Sequence, residues 1–264
     1  MRRDPQAGRS IFLLTRAKRD ALRVLAEYFC ATTNGIAELR HGARPAGAQE
    51  RSLRRTLLLL YREGLVARLP YFDLDRAAGG FTYVYGLSAA GVRLAKEDGF
   101  ASGATKPFGE HAARTLGHEL LITAFHRAVA AHARASGLEF YWLQRDLKKR
   151  TVHPDAVFAL ADPKMPDDRN TRYWFLEVER AKAGGYENGE PQIARKLRAY
   201  AAYAGSRACE RDWGDFRNFQ VVIVAPTAAR SRSLAGRSGE FGKDLFFVIP
   251  ENRCTPEGLA EALG

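Results

Sequence analysis

The stretch Leu53–Val66, with the sequence LRRTLLLLYREGLV, decides the fold of the N-terminal part of the chain. Apolar residues recur in it at the i, i+4, i+7 and i+8 spacing of one buried helix face, as Leu53, Leu57, Leu60 and Tyr61. This spacing predicts a helix from about Ala48 to Glu63, and Gly64 ends it. The apolar residues from Leu65 to Tyr71 predict a strand directly after the helix.

The residues on either side of this helix complete a recognisable order of elements. Helical spacing predicts one earlier helix over Arg16–Cys30 and a second over Ile36–Arg40. Thr82–Leu87 predicts a second strand, and Ser88 is placed to cap a further helix. Three helices followed by a β-hairpin is the order of a winged helix-turn-helix, and Leu53–Val66 resembles the recognition helix and first wing strand of such domains.

One face of the third helix is a candidate DNA-contacting surface. Its side chains lie off the leucine stripe and can donate hydrogen bonds in the major groove, and they are Gln49, Arg51, Ser52, Arg54 and Arg55. Two other interpretations stay open. The arginines could form a solvated basic face, or the winged helix could bind a protein rather than DNA.

The composition favours an anionic partner. The 264 residues include 41 Lys and Arg against 30 Asp and Glu, a net charge of +11 with a pI near 9.8. Residues 1–110 hold 18 basic and 11 acidic residues, a net charge of +7. Apolar runs such as Leu57–Tyr61 are too short to span a membrane, and the three widely spaced cysteines indicate neither a disulfide framework nor a zinc site. We therefore expect a soluble, cytoplasmic protein that binds double-stranded DNA.

A stretch rich in glycine and small residues, Asp98–Gly109, divides the chain. It predicts a winged-helix domain over residues 10–98, a linker over 99–110, a second domain over 111–250 and a C-terminal tail over 251–264. The second domain begins with a predicted helix, Glu110–Ala135, followed by three strands near residues 138–144, 153–160 and 173–179. A second helix, Pro191–Ala204, then leads to the strand Phe219–Ala225. Because a helix lies between the third and fourth strands, we expect these two strands to be parallel.

Two short acidic motifs lie on neighbouring strands of this second domain. His153-Pro154-Asp155-Ala156 places an aspartate at one strand, and Phe175-Leu176-Glu177-Val178-Glu179 places glutamates on the next. Glu119 lies on the preceding helix. One face of the following helix carries Gln192, Lys196 and Tyr200. These elements and residues resemble the PD-(D/E)xK nuclease-like core, which implies an α/β (α+β) domain of three layers around a mixed sheet.

The whole chain, from about residue 10 to residue 250, resembles the replication-relaxation family. The resemblance implies a DNA-associated protein of a plasmid or other mobile element, with a role in replication, relaxation or mobilisation. Besides double-stranded DNA, the implied partners are a second copy of the chain and proteins of replication or mobilisation.

The acidic residues suit the chemistry of a metal-dependent endonuclease. Phosphodiester cleavage requires a divalent cation, Mg²⁺ or Mn²⁺, which takes hard oxygen ligands. The candidate metal ligands are Asp155, Glu177, Glu119 and the backbone carbonyl of Val178, and Lys196 completes the candidate catalytic set. The candidates for a supporting role are His118, His153, Glu179, Gln192 and Tyr200.

One residue departs from the nuclease pattern. Glu179 stands where the motif of the superfamily has lysine, and strand alternation places it on the same face as Glu177. Either Lys196 supplies the lysine from the helix, or the site is a binding relic. In the second case the protein would be a non-catalytic replication or transcription accessory factor without a cofactor.

Overall fold

The computed structural model describes residues 14–42, 46–73, 80–100, 106–109, 115–145, 152–166, 170–179, 186–187, 190–206, 208–213, 219–242 and 244–263. The chain divides into two compact units, which we call unit 1 (Met1–Ala113) and unit 2 (Arg114–Gly264). The described residues form helices and β-sheets in both units.

Unit 1 combines four helices with a three-stranded sheet in its described residues. The elements are α1 (Arg16–Tyr28), β1 (Cys30–Thr32), α2 (Thr33–His41), α3 (Ala48–Arg62), β2 (Val66–Asp73), β3 (Gly80–Leu87) and α4 (Ala89–Glu97). The strands pair antiparallel in the order β1-β3-β2. The sequence analysis missed β1 because three residues are too few to show strand alternation.

The apolar face of α3 matches the prediction at three of its four positions. Leu53, Leu57 and Leu60 are buried in the unit 1 core. The prediction for Tyr61 was wrong, because its side chain is 41% exposed. The ring of Tyr61 instead stacks against Arg68, whose guanidinium carbon lies 4.3 Å from the ring centroid. Ser88 caps α4 as predicted, with its hydroxyl accepting a hydrogen bond from the backbone N–H of Gly91 at 3.1 Å.

Part of the predicted linker packs against unit 1. Phe108 is buried, and its backbone N–H donates to the carbonyl oxygen of Leu87 at 2.7 Å. Its ring packs edge-to-face on Phe29, with the centroids 5.8 Å apart. Gly86 lies directly beneath this ring, and a Cβ atom there would collide with it. Phe108 therefore belongs to the packing of unit 1, whereas residues 101–105 and 110 of the predicted linker lie outside the described residues.

Unit 2 is built on a five-stranded mixed sheet. Its elements are α5 (Leu116–Ser136), β4 (Glu139–Arg145), β5 (Ala156–Ala161), β6 (Thr171–Val178), β7 (Tyr186–Glu187), β8 (Glu190–Pro191), α6 (Gln192–Ala204), α7 (Ala208–Trp213), β9 (Phe219–Ala225), α8 (Ala228–Ser238), β10 (Phe246–Pro250) and α9 (Pro256–Leu263). The sheet order is β10-β9-β6-β5-β4. The pairs β4–β5 and β5–β6 are antiparallel, whereas β6–β9 and β9–β10 are parallel. The predicted parallel pairing of the third and fourth strands is confirmed as β6–β9.

Helices cover both faces of this sheet. On one face, α5 and α9 pack on the strand residues Trp174, Leu176 and Val178. On the other face, buried residues of α6, α7 and α8 pack around Phe175. Glu177 lies between Leu176 and Val178 in the sequence, so strand alternation directs its side chain to the α6 face. This placement is what brings the glutamate to the candidate site.

Residues 251–263 do not form a tail. A 3₁₀ turn over Glu251–Arg253 leads into α9, and Leu259 and Leu263 are buried in the same core as α5. The two leucines are four residues apart, which places them on one helix face. The C-terminal segment therefore belongs to unit 2.

Candidate functional site

The site lies where the pairing of β5 and β6 ends. Ala156 pairs with Leu176, so the next residues, Asp155 and Glu177, lie opposite each other. The backbone N–H of Asp155 donates to the carbonyl oxygen of Leu176 at 2.9 Å. In return, Asp155 Oδ2 accepts a hydrogen bond from the backbone N–H of Val178 at 2.7 Å. The end of the antiparallel ladder therefore holds the two acidic motifs together.

Glu177 is buried, at 3% exposure, and both of its oxygens have donors from α6. The hydroxyl of Tyr200 donates to Oε1 at 2.7 Å, and Lys196 Nζ donates to Oε2. Burial, together with the nearby charge of Asp155, raises the pKa of Glu177 to about 7, although Lys196 and Tyr200 act in the opposite direction. The carboxyl group of Glu177 therefore titrates near neutral pH.

Asp155 differs from Glu177 because it faces a second cation. His118 Nε2 lies 3.3 Å from Asp155 Oδ2. Burial alone would raise the pKa of Asp155, but the hydrogen bond and charge of His118, the charge of Lys196 and the Val178 amide together lower it below its ordinary value. The two neighbouring carboxyl groups thus titrate in opposite directions, and Asp155 is ionised at neutral pH.

His118 lies between two carboxylates near the start of α5. Its Nδ1 atom is 3.9 Å from Glu119 Oε1, while its Nε2 atom faces Asp155. Burial would lower the pKa of His118, but the hydrogen bonds and charges of Asp155 and Glu119 outweigh it and raise the value to about 9. A protonated imidazole therefore connects Glu119 to Asp155.

Lys196 and Tyr200 reach Glu177 from one face of α6. They are four residues apart, and the neighbouring Ile193 and Leu197 anchor the helix in the core of unit 2. Burial would lower the pKa of Lys196, but the charges of Glu177 and Asp155 outweigh it and raise the value, so the amine is protonated. Its side chain keeps 39% of its surface exposed, in contrast to the buried Glu177 that it contacts.

Glu179 is held by Arg230, a residue that the sequence analysis missed. Arg230 Nε lies 3.0 Å and 2.9 Å from the two carboxylate oxygens, and its Nη2 also donates to Oε1. These hydrogen bonds raise the pKa of Arg230. Val178 pairs with Val224 near the end of β9, and α8 begins three residues after that strand, so an arginine in its first turn lies near Glu179. The parallel pairing of β6 and β9, which the sequence predicted, was the signal from which this contact could have been inferred.

The remaining candidate residues are His153 and Gln192 in unit 2 and five side chains of α3 in unit 1. His153 is exposed to solvent, two residues before Asp155. The side chain of Gln192 lies outside the described residues, although the residue begins α6. On α3 of unit 1, the side chains of Gln49, Arg51, Ser52, Arg54 and Arg55 are all exposed. Arg54 forms an ion pair with Glu50 at 2.6 Å on the same helix.

The donor set determines which metal ion unit 2 could hold. In the described part of the chain, no group of three or more His, Cys, Asp and Glu side chains is arranged to hold a metal ion. Asp155 and Glu177 form a pair of carboxylates, which is what Mg²⁺ takes when waters and substrate phosphates complete its coordination. The chemistry of this pair fits such a hard cation, and it does not fit a cage built entirely from protein ligands.

No helix of the described chain is both long and apolar enough to cross a membrane.

The chain is similar to the solved structure of the restriction endonuclease FokI, with 11% identity and a TM-score of 0.31. The similarity covers 92% of this chain and 43% of that one, so this chain spans less than half of the FokI chain. No curated protein shows significant similarity to the chain. The model of the replication-relaxation family matches residues 22–218, about three quarters of the sequence, and the chain therefore belongs to the replication-relaxation family.

Proposed function

We propose that this chain is a DNA-binding protein of a plasmid or other mobile element, acting in replication, relaxation or mobilisation, and that unit 2 is a metal-dependent DNA endonuclease of the PD-(D/E)xK type. The observation that carries the proposal is the cluster that Asp155 and Glu177, at the ends of neighbouring strands, form with Lys196 of α6. Two carboxylates and a lysine in one place are the groups that phosphodiester hydrolysis uses. The family description, replication-relaxation, agrees with a role on DNA.

Each residue of the cluster has a role that follows from its surroundings. Asp155 and Glu177 would hold Mg²⁺ or Mn²⁺, with Glu119 and the carbonyl of Val178 as further candidate ligands. Such a cation supplies activation of water and stabilisation of the charge that develops on the phosphate. Lys196 keeps its proton, so it acts as a positive charge towards the phosphate rather than as a base.

Two further residues fix the geometry of Glu177 and its surroundings. Burial raises the pKa of Tyr200 well above its ordinary value, so the phenol keeps its proton and holds Glu177 Oε1. Arg230 neutralises Glu179, which offsets the charge repulsion expected between Glu177 and Glu179. With Glu179 paired in this way, Lys196 from α6 takes the place of the motif lysine.

Unit 1 would supply DNA binding as a winged helix. Its three helices precede the β2–β3 hairpin, and the exposed face of α3 carries Arg51, Arg54 and Arg55. Arginines on such a face can contact phosphates and base edges in the major groove. Replacing Arg51 and Arg55 by alanine should lower the affinity for duplex DNA and reduce the slope of affinity against salt concentration. Arg93→Ala, which removes an exposed charge from α4, is the matched control.

The endonuclease is tested with supercoiled plasmid in Mg²⁺ or Mn²⁺. We expect the wild type to nick the plasmid, and Asp155→Asn and Lys196→Gln to reduce the rate at least about a hundredfold, the order expected when a group stabilising the transition state is lost. Arg198→Gln removes an exposed charge from the same helix and should leave the rate unchanged. Nicking that persists in Asp155→Asn would contradict the assignment.

A non-catalytic accessory factor is the second candidate, and one observation favours it. Asp155, Glu177 and Glu179 each contact a cationic side chain of the protein, namely His118, Lys196 and Arg230. A cluster neutralised in this way needs no metal ion. Duplex binding by the wild type without nicking in either metal would favour this candidate.

A further inference from the structure

Exposed aromatic rings form a surface patch on unit 1. Tyr61, Phe81 and Tyr83 are 41%, 75% and 43% exposed. Phe81 and Tyr83 are two residues apart on β3, so they project from the same face of the sheet. Tyr61 lies near the end of α3, which leads directly into β2. The unit thus presents large aromatic rings to solvent, where apolar surface commonly indicates a binding site.

Arg68 on β2 connects two of these rings. Its guanidinium carbon lies 4.3 Å from the ring centroid of Tyr61 and 4.2 Å from that of Tyr83. A planar cation at these distances holds both rings by cation–π contacts and keeps a positive charge among them. We call Tyr61, Arg68, Phe81 and Tyr83 the aromatic platform.

The aromatic platform continues the basic face of α3. Tyr61 follows Arg54 by seven residues, so the two side chains lie on the same side of the helix. Arg51, Arg55 and Arg62 form the adjacent exposed stripe of that helix. A polyanion that follows these arginines towards the end of α3 would reach the rings.

We propose that the aromatic platform stacks unpaired bases of single-stranded DNA, while the arginines of α3 bind the phosphates. Aromatic rings beside a basic groove are how proteins bind single strands without sequence preference, because every base has a flat face. The inference rests on the proposed DNA binding by unit 1 and adds the class of DNA that it recognises. Charge favours DNA over a second copy of the chain, because two identical platforms would bring two Arg68 side chains together within units of net charge +7 over residues 1–110.

The test uses a single-stranded oligonucleotide that carries the fluorescent base 2-aminopurine, with a duplex of the same sequence beside it. We expect the full chain to quench the fluorescence as the base stacks on a ring. Phe81→Ala and Tyr83→Ala should each weaken single-strand binding roughly tenfold, the order expected for the loss of one stacked base. The salt slope should stay unchanged, because neither substitution removes a phosphate contact. Phe81→Trp keeps a ring and should retain the affinity.

Two controls keep this test specific. Tyr141→Ala removes a tyrosine of similar exposure, 46%, from unit 2 and should leave single-strand binding unchanged. Thermal unfolding followed by circular dichroism checks that each variant folds, which we expect for Phe81→Ala because that side chain is mostly exposed.

The outcomes separate this inference from the proposed function. If Arg51→Ala with Arg55→Ala weakens duplex binding but Phe81→Ala leaves single-strand binding and quenching unchanged, the platform inference is overturned and DNA binding by unit 1 stands. If the wild type binds neither form of DNA, both fail. If Phe81→Ala instead dissociates a dimer, measured by analytical ultracentrifugation, and leaves DNA affinity unchanged, the platform is a self-association surface and the inference is overturned.

Discussion

The charged candidate residues on α3 of unit 1 and the carboxyl group of Glu177 in unit 2 lie in opposite environments. On α3 of unit 1, Arg51, Arg54 and Arg55 are exposed. In unit 2, Glu177 is buried and its charge depends on side chains from a neighbouring helix. Burial makes an ionised group costly unless partners compensate, whereas exposed charges are stabilised by water. The first arrangement leaves charges available for a large polyanion, and the second shifts the protonation of individual groups.

This difference determines what substitution should do in each unit. Changing a buried charge in unit 2 should alter folding stability and its pH dependence. Changing an exposed arginine on α3 should alter DNA binding with little effect on stability.

The largest stability effect should come from the titration of Glu177. Its pKa is raised from 4.5 to about 7, so its stabilising contribution is complete below pH 4.5 and is lost as the pH rises through 7. The shift corresponds to about 3 kcal/mol. We expect the free energy of unfolding of the wild type, relative to that of Glu177→Gln, to fall by this order between pH 4.5 and pH 8, measured by urea denaturation.

His118 also contributes to the pH dependence of stability, and it is present in both the wild type and Glu177→Gln. Its pKa is raised to about 9, so its contribution is present below pH 6.5 and declines as the pH rises through 9. The comparison at each pH therefore cancels most of the His118 effect. Parallel stability profiles for the wild type and Glu177→Gln would show that Glu177 titrates as an ordinary glutamate.

Removing the hydroxyl of Tyr200 should have the next largest effect. Tyr200→Phe leaves the buried Glu177 Oε1 without its 2.7 Å donor, which should cost about 1–3 kcal/mol. Tyr203→Phe is a matched control on the same helix, since that hydroxyl donates at 3.0 Å to Asp212, a more exposed carboxylate. Urea denaturation at pH 8 should show a larger loss for Tyr200→Phe than for Tyr203→Phe. Equal losses of stability in the two variants would contradict the expectation that a buried carboxylate depends more strongly on its hydrogen-bond donor than a more exposed one does.

The helices and strands that carry the site were more predictable from the sequence than the contacts between their side chains. Leucine periodicity predicted α3, and the two acidic motifs predicted that Asp155 and Glu177 lie at neighbouring strands, as the β5–β6 pairing confirms. Arg230 was missed because it is 51 residues from Glu179, and only the β6–β9 pairing brings it near. Tyr61 was predicted to be buried because spacing does not show that a ring at the edge of a stripe can stack on an arginine from the next strand. Contacts between distant segments depend on tertiary packing, which local periodicity does not contain.

The Glu179–Arg230 pair should give a smaller effect than the Glu177 contacts. Arg230 keeps 36% of its side chain exposed, so solvent screens the pair. We expect a coupling energy of about 0.5–1 kcal/mol from a double-mutant cycle with Glu179→Gln and Arg230→Gln. The same cycle on Arg253 and Glu261, whose side chains are 57% and 68% exposed, should give a value nearer zero. Equal coupling in both pairs would contradict the dependence on burial.

The smallest stability effect is expected on α3, where binding should respond instead. Arg54→Ala removes an exposed i, i+4 pair with Glu50, which should change the free energy of unfolding by less than about 0.5 kcal/mol. The same substitution removes a positive charge from the proposed DNA-contacting face, so duplex affinity should fall and its salt slope should decrease by about one unit if Arg54 contacts a phosphate. Urea denaturation and DNA titration on the same preparations measure both quantities. A loss of stability without a loss of DNA affinity would mean that Arg54 stabilises α3 rather than binding DNA. The expectation that exposed charges of unit 1 act in binding would then fail for this residue.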